Sequence, residues 1–170
     1  QAAQRGVNVK IYRPGGILGQ THTGIVLPHH NHLLLLLKGC IQLGYAPMFK
    51  ENLDISPVDF VSCCIVKFSL EKQSLFSVFN LSNPQPISWE ELIGFTSNRG
   101  YSIKLIPYEQ WRDDYLANLK SDNALYKLLS LYLNMFDLNQ TGQVYSISRR
   151  HTLEMLNKLK MFYPLVDAKL

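Results

Sequence analysis

Apolar and polar residues alternate along Val7–Tyr12 (VNVKIY), with Val7, Val9 and Ile11 on one face, which predicts a β-strand. Arg13–Gly19 follows as a loop holding Gly15, Gly16 and Gly19. Pro28–His32 breaks the pattern. Leu33–Gly44 then takes a helical period, with Leu33, Leu36, Leu37, Cys40 and Ile41 at helical spacing and Gly44 as the stop. Lys50–Pro57 reads as a polar loop. Beyond it, Val61, Cys64, Ile65 and Phe68 predict a helix over Phe60–Leu70. Asp59 is its expected N-cap, because a carboxylate there accepts the unpaired amides of the first turn. Leu75–Leu81 predicts a strand. Ser88-Trp89-Glu90-Glu91 fits a capping box: the Ser88 hydroxyl reaches forward and Glu91 reaches back. The helix it opens ends near Gly100, and a short strand follows at Ser102–Ile106. Helices are expected over Pro107–Leu119 and Asn123–Leu133, then a loop at Asn139–Gly142, then a last helix at Thr152–Met161 ended by Tyr163-Pro164.

Few strands, separated by helices and followed by helices only, predict part of an α/β domain joined to a helical lobe. A chain of 170 residues with 46% hydrophobic content suffices for one core. Net charge is +4, but the bases are scattered and the densest pair is Arg149-Arg150. No basic stripe interleaved with aromatics appears, so no nucleic-acid partner is expected. Cys40, Cys63 and Cys64 are odd in number, and no CxxC spacing exists. Reduced, buried thiols in a cytoplasmic protein are the expectation. Leu33–Leu37 is too short to span a bilayer, and QAAQRG has no apolar signal core, so no membrane association is expected. The chain opens on Gln and runs at once into a strand, which suggests part of a longer polypeptide.

The candidate chemistry is sparse. A pyrophosphate-binding loop is spaced GxGxxG and opens a helix directly. Here the spacing is GGxxG, Gln20-Thr21-His22-Thr23-Gly24 follows, and the next acid is Glu51. Two readings of the loop remain: a tight turn needing positive φ, or a ligand-facing loop at the carboxyl end of a sheet strand. His29, His30 and His32 crowd beside Pro28 without the spacing of a metal-binding helix, so no metal is expected. GxSxG is absent. Glu90-Glu91 and Asp113-Asp114 are sequence neighbours about 100° apart on a helix, which suits solvated surface and not a joint acid–base pair. Tyr108, Trp111 and Tyr115 form a stripe expected in a core.

The order of five phrases carries more: IYRPGGILGQTHTG, KGCIQLGYAP, PVDFV, VFNLSNPQPISWEEL and IKLIPYEQW. Together they resemble the thioester reductase domains that terminate nonribosomal peptide synthetases and polyketide synthases. These are extended short-chain dehydrogenase/reductases of the male-sterility and carboxylic acid reductase-like group. The resemblance covers about residues 1 to 120 and continues more weakly to FYPLVDAKL, which is similar to the family's closing helix. It implies the C-terminal part of a Rossmann-type domain with a mostly helical substrate-binding lobe, the N-terminal nucleotide-binding half being absent. Residues 1–27 would be the last Rossmann strand and cofactor-side loop, and 28–170 the lobe that receives substrate and carrier protein.

By that resemblance Pro14, Gly15, Gly16 and Ile17 form the nicotinamide-side wall for NADPH or NADH. The partners implied are a phosphopantetheinylated carrier protein bearing an acyl thioester and the N-terminal half of the domain. The family's Tyr-x-x-x-Lys finds no match: Tyr163 meets Asp167, Tyr45 meets Phe49, and Tyr108 meets Arg112. No catalytic residue is therefore assigned, and the chain alone is expected to be inactive. Asp59, Ser88 and Glu91 are expected to be structural. Two alternatives stand: the same lobe in a fatty acyl-CoA or sugar-type reductase, or a noncatalytic carrier-docking module.

Overall fold

The computed structural model describes residues 1–72, 76–134 and 147–166. In chain order, strands β1 (Val9–Pro14) and β2 (Gly16–Leu18) lead to helix α1 (His32–Leu43) and strand β3 (Tyr45–Pro47). Strand β4 (Ile55–Pro57), helix α2 (Val58–Leu70), strand β5 (Phe76–Leu81) and helix α3 (Trp89–Asn98) come next. After β6 (Lys104–Ile106), one helical turn, α4 (Tyr108–Gln110), runs into a π-helix at Trp111–Leu116. A 3₁₀ helix (Ala124–Leu128) continues into α5 (Leu129–Leu133), and α6 (Arg150–Lys158) is the last helix described.

The chain divides into two compact units. Residues 1–26, 53–87 and 145–170 form the first unit; 27–52 and 88–144 form the second. The first unit draws on separated stretches because β1 pairs with β5, a strand more than sixty residues later, and α2 and α6 pack with them.

In the first unit β1 and β5 are parallel, in register from Val9↔Phe76 to Pro14↔Leu81. The polar loop expected at Lys50–Pro57 contains strand β4, which pairs in parallel with β2, a strand inside the expected glycine loop. Val61, Cys64, Phe68, Phe79, Leu81, Met155 and Leu156 form the core. The rings of Phe68 and Phe79 are 5.0 Å apart. Helix α2 starts two residues earlier than expected for an Asp59 cap: its N-cap is Pro57, and Asp59 lies inside the first turn. At the other end the Lys10 ammonium, projecting from β1, donates to the carbonyls of Phe68 (2.5 Å), Ser69 (3.1 Å) and Glu71 (2.5 Å). A cation there satisfies orphan carbonyls and complements the helix dipole.

The second unit is built on α1. Asn31 Oδ1 accepts the Leu34 amide at 3.1 Å, and Gly44, at φ +73, closes the helix by donating to Cys40 and Ile41. Gly39 lies where Leu125 presses on the helix: a Cβ there would sit 2.3 Å from Leu125 Cγ. β3 and β6 pair in parallel. Buried Trp89 donates its indole N–H to Pro47 at 2.7 Å, and Trp111 donates to Tyr45 at 3.3 Å. Trp111 meets Tyr132 edge-on at 5.8 Å, so two members of the expected stripe, Tyr108 and Trp111, are core. Tyr115 is half-buried and stacks on Tyr45 at 4.4 Å. The expected α-helix at Pro107–Leu119 is instead one α-helical turn followed by a six-residue π-helix, with Ala117 donating to Arg112. The capping box on α3 is present, with both Ser88–Glu91 bonds formed. No helix closes the chain over residues 161–166, which differs from the expected closing helix. The loop expected at Asn139–Gly142 and Asp167–Leu170 lie outside the described residues.

Candidate functional site

Parallel pairing puts the carboxyl ends of β1 and β5 side by side, so the segments leaving Pro14 and Leu81 emerge on one edge. Both are tied to Asp54. The Gly16 amide donates to the Asp54 carbonyl at 2.7 Å, and the Asn83 amide donates to Asp54 Oδ1 at 2.6 Å. A Cβ on Gly15 would lie 2.4 Å from Asp54 Oδ2, and one on Gly16 would lie 2.9 Å from the Asp54 carbonyl oxygen. Neither glycine has positive φ. Glycine stands at both positions because Asp54 comes too close for a side chain, not because a left-handed turn requires it. Pro14 and Gly16 are exposed, Gly15 and Ile17 half-buried, so the backbone strip presents an open face.

Asn83, 3% exposed, is held on every side. Its side-chain amide donates to the Ile55 carbonyl at 3.0 Å, and its Oδ1 accepts the Gln85 amide at 2.9 Å. Its carbonyl accepts Arg149 Nη1 at 3.0 Å. Thr152 Oγ1 donates to Asn80 at 2.9 Å, so α6 is fixed to the end of β5. Tyr163 lies near the same node. Burial pushes its hydroxyl pKa up, the Cys64 and Asp54 charges add to this, and Arg149 opposes them. The Tyr163 and Ser56 hydroxyls are buried without a hydrogen-bond partner among the described residues.

The loop after Gly19 is pinned separately. Asp59 Oδ1 accepts both the amide and the hydroxyl of Thr21 at 3.0 Å. Burial is the largest single influence on the Asp59 carboxyl and raises its pKa, but the two Thr21 bonds, its own backbone amide and the nearby His22 together outweigh it and hold the carboxyl below its usual range. Gln20 Oε1 accepts the amides of His22 and Thr23, closing the turn.

The structure brings Pro14–Ile17 together with Asp54, Asn83 and Arg149, and places Asp59 beside the loop that follows. Ser88 and Glu91 belong to the second unit and hold the start of α3. His32 Nε2 lies 2.7 Å from the Tyr132 hydroxyl. Among the described residues no group of three or more His, Cys, Asp or Glu is disposed to hold a metal ion. Burial pushes the Cys40 and Cys64 thiols up to about 12, which makes them poor nucleophiles. No helix of the described residues is long and apolar enough to cross a membrane. Sequence reading missed Asp54, Asn83 and Arg149. The available signals were the Asn83-Pro84 turn dipeptide and the apolar flanks Leu53 and Ile55, which make a strand of a loop.

Parallel strands with helices against them define an α/β fold, a class in which ligands bind outside the carboxyl ends of the strands. Residues 1–65 match the male sterility protein family, an NAD-binding group. The chain is 34% identical over 110 residues to a linear gramicidin synthase of Brevibacillus parabrevis, covering 65% of this chain and 2% of the synthase. It superimposes with a TM-score of 0.85 and 32% identity on the terminal R domain from the myxalamid PKS-NRPS biosynthetic pathway, covering 99% of this chain and 43% of that one. A thiolation-reductase di-domain from an archaeal non-ribosomal peptide synthetase shares the fold at TM-score 0.79 and 23% identity, over 99% of this chain and 35% of that one. The chain belongs to the reductase-domain family of nonribosomal peptide and polyketide synthetases. It spans less than half the length of each of these relatives.

Proposed function

We propose that this chain is the substrate-binding, C-terminal portion of an NAD(P)H-dependent reductase that releases a carrier-bound acyl or peptidyl thioester as an aldehyde, or onward as an alcohol. The observation that carries this reading is the open backbone strip Pro14–Ile17 at the carboxyl edge of β1 and β5, backed by Asp54. When bound, the nicotinamide would supply the hydride that, with one proton, reduces the thioester to an aldehyde and the carrier's free thiol. The strip fits such a group because glycine at 15 and 16 lets the backbone lie directly on Asp54 while its other face stays open.

In this reading Pro14 and Gly16 face the nicotinamide, and Asp54 holds their backbone in place through the Gly16 amide. Asn83 and Arg149 fix the neighbouring loop, which would line the approach of the acyl chain. The Tyr-x-x-x-Lys pair that moves the proton is absent from these 170 residues, so the chain alone is inactive. The thiolation-reductase neighbour supports a carrier protein as partner.

The test is thioester reduction by the complete polypeptide that contains this chain, followed as NADPH oxidation. Faster turnover of carrier-bound than of free acyl-CoA substrate supports the reading. Equal turnover of free acyl-CoA favours the fatty-acyl alternative. Tight NADPH binding by the 170-residue chain alone, seen in a fluorescence titration, overturns the assignment of the nucleotide site to another part of the protein.

A further inference from the structure

We infer that the first unit binds one ordered water between the Ser56 and Tyr163 hydroxyls, against the Asp54 carboxylate, and that this water ties the segment after α6 to the strip Pro14–Ile17. Both hydroxyls are buried without a hydrogen-bond partner among the described residues, and Ser56 is only 1% exposed. A hydroxyl buried unpaired gives up its bonds to solvent on folding and regains none. A single internal water can serve two such groups, because it both donates and accepts.

Three elements bring these groups together. Side chains alternate along an extended chain, so Asp54 and Ser56, two positions apart, share a face. The pairing of Ser56 with Ile17 puts the Ile17 side chain on that face too. Ile17 and Tyr163 both pack against the core that holds Val61, Cys64 and Phe68. The Tyr163 ring lies 4.6 Å from that of Phe60, four residues after Ser56. The Asp54 and Arg149 charges are both felt at the Tyr163 hydroxyl. An internal water makes about three hydrogen bonds, and two hydroxyls and a carboxylate supply that number. Asp54 Oδ1 already accepts the Asn83 amide at 2.6 Å, whereas Oδ2 takes no hydrogen bond among the described residues. The Asp54 carbonyl in turn accepts the Gly16 amide, so a water bound there braces the strip from behind. The inference rests on this packing and not on the reductase reading.

The test is a double-mutant cycle on the complete domain that contains this chain, followed by denaturant unfolding. Ser56→Ala and Tyr163→Phe should each lower the folding equilibrium constant about tenfold, because each leaves the water a partner short. The double variant should lose clearly less than the product of the two, since both substitutions act on one water. Unchanged or higher stability in the single variants means that the hydroxyls are truly orphaned, and overturns the proposal. Losses that multiply strictly mean that each hydroxyl has a partner of its own, and overturn it as well. A crystal structure of the same domain should show a water within hydrogen-bonding distance of both hydroxyls; a water that reaches one, or none, sinks the site. Tyr163→Phe should also speed hydrogen exchange at the Gly16 amide about fivefold while the Thr21 amide, held by Asp59, keeps its rate. Equal change at the two amides would remove the tie to the strip. No turnover enters these measurements, so failure of the reductase reading leaves their outcome intact.

Discussion

In the first unit, polar groups reach across long stretches of chain: Asp54 to Asn83, Arg149 to Asn83, Thr152 to Asn80, Lys10 to the end of α2. In the second, aromatic rings fill the centre, and the polar atoms within it mostly belong to those rings: the Trp89 and Trp111 indoles and the Tyr108 hydroxyl, which donates to the Tyr132 carbonyl. The difference follows from what each region must hold in place. The first unit joins three separated stretches of sequence, and directional bonds specify which loop meets which strand end. The second joins two, and large rings supply most of the burial with few constraints on backbone direction.

Truncating the cores should give the largest effects and compares the units directly. Phe68→Ala in the first and Trp111→Ala in the second should each cost about 3–5 kcal/mol in denaturant unfolding, since both leave cavities in closed cores. A loss below about 1 kcal/mol for Trp111→Ala would break the claim that rings hold the second unit.

Asp54→Ala comes next, at about 1–3 kcal/mol, because the buried Asn83 amide loses its acceptor. Gly15→Ala should cost a similar amount through its clash with the Asp54 carboxylate. The double variant Gly15→Ala/Asp54→Ala should fall well short of the sum, since removing the carboxylate makes room for the methyl group. Strict additivity in that cycle would show that the two residues do not meet.

Ser88→Ala removes the cap of α3 and should cost about 0.5–2 kcal/mol, read as lower amide protection in the first turn of that helix. The smallest effect is electrostatic. The folded Asp59 carboxyl is held below its usual range, so its contribution to stability is full above the unfolded value and is lost as pH falls through the folded one. An acid titration followed at the Thr21 amide should move below pH ~4 and lose that inflection in Asp59→Asn.

The helices over α1, α2 and α3 were legible because apolar residues recur at helical spacing and because Gly44 and Ser88 mark two of their ends; the Asn31 cap of α1 went unread, and Asp59 does not cap α2. The Ser88–Glu91 box was legible for the same reason: a cap is a local event, fixed by residues three apart. Strand β4 was not, because three residues holding a polar Ser56 read as loop until β2 supplies their partner. The π-helix at Trp111–Leu116 leaves no period of its own in so short a stretch. Within the candidate site, Gly15 and Gly16 were visible and their reason was not. Asp54 approaches them from nearly forty residues away, and no spacing along the chain encodes that approach.

The Lys10 ammonium, bound to three carbonyls at the end of α2, has a consequence for chemical labelling. Its position in an alternating strand gives no sign that this amine differs from the other lysines. Acylation needs a free, uncharged amine, and Lys10 is withheld from that chemistry as long as α2 keeps its last turn. An amine-acylating reagent should modify exposed Lys38 and Lys127 first, with Lys10 becoming reactive only when the first unit opens. The order of modification, read by mass spectrometry, would then make Lys10 a chemical reporter of whether β1 and α2 are still joined.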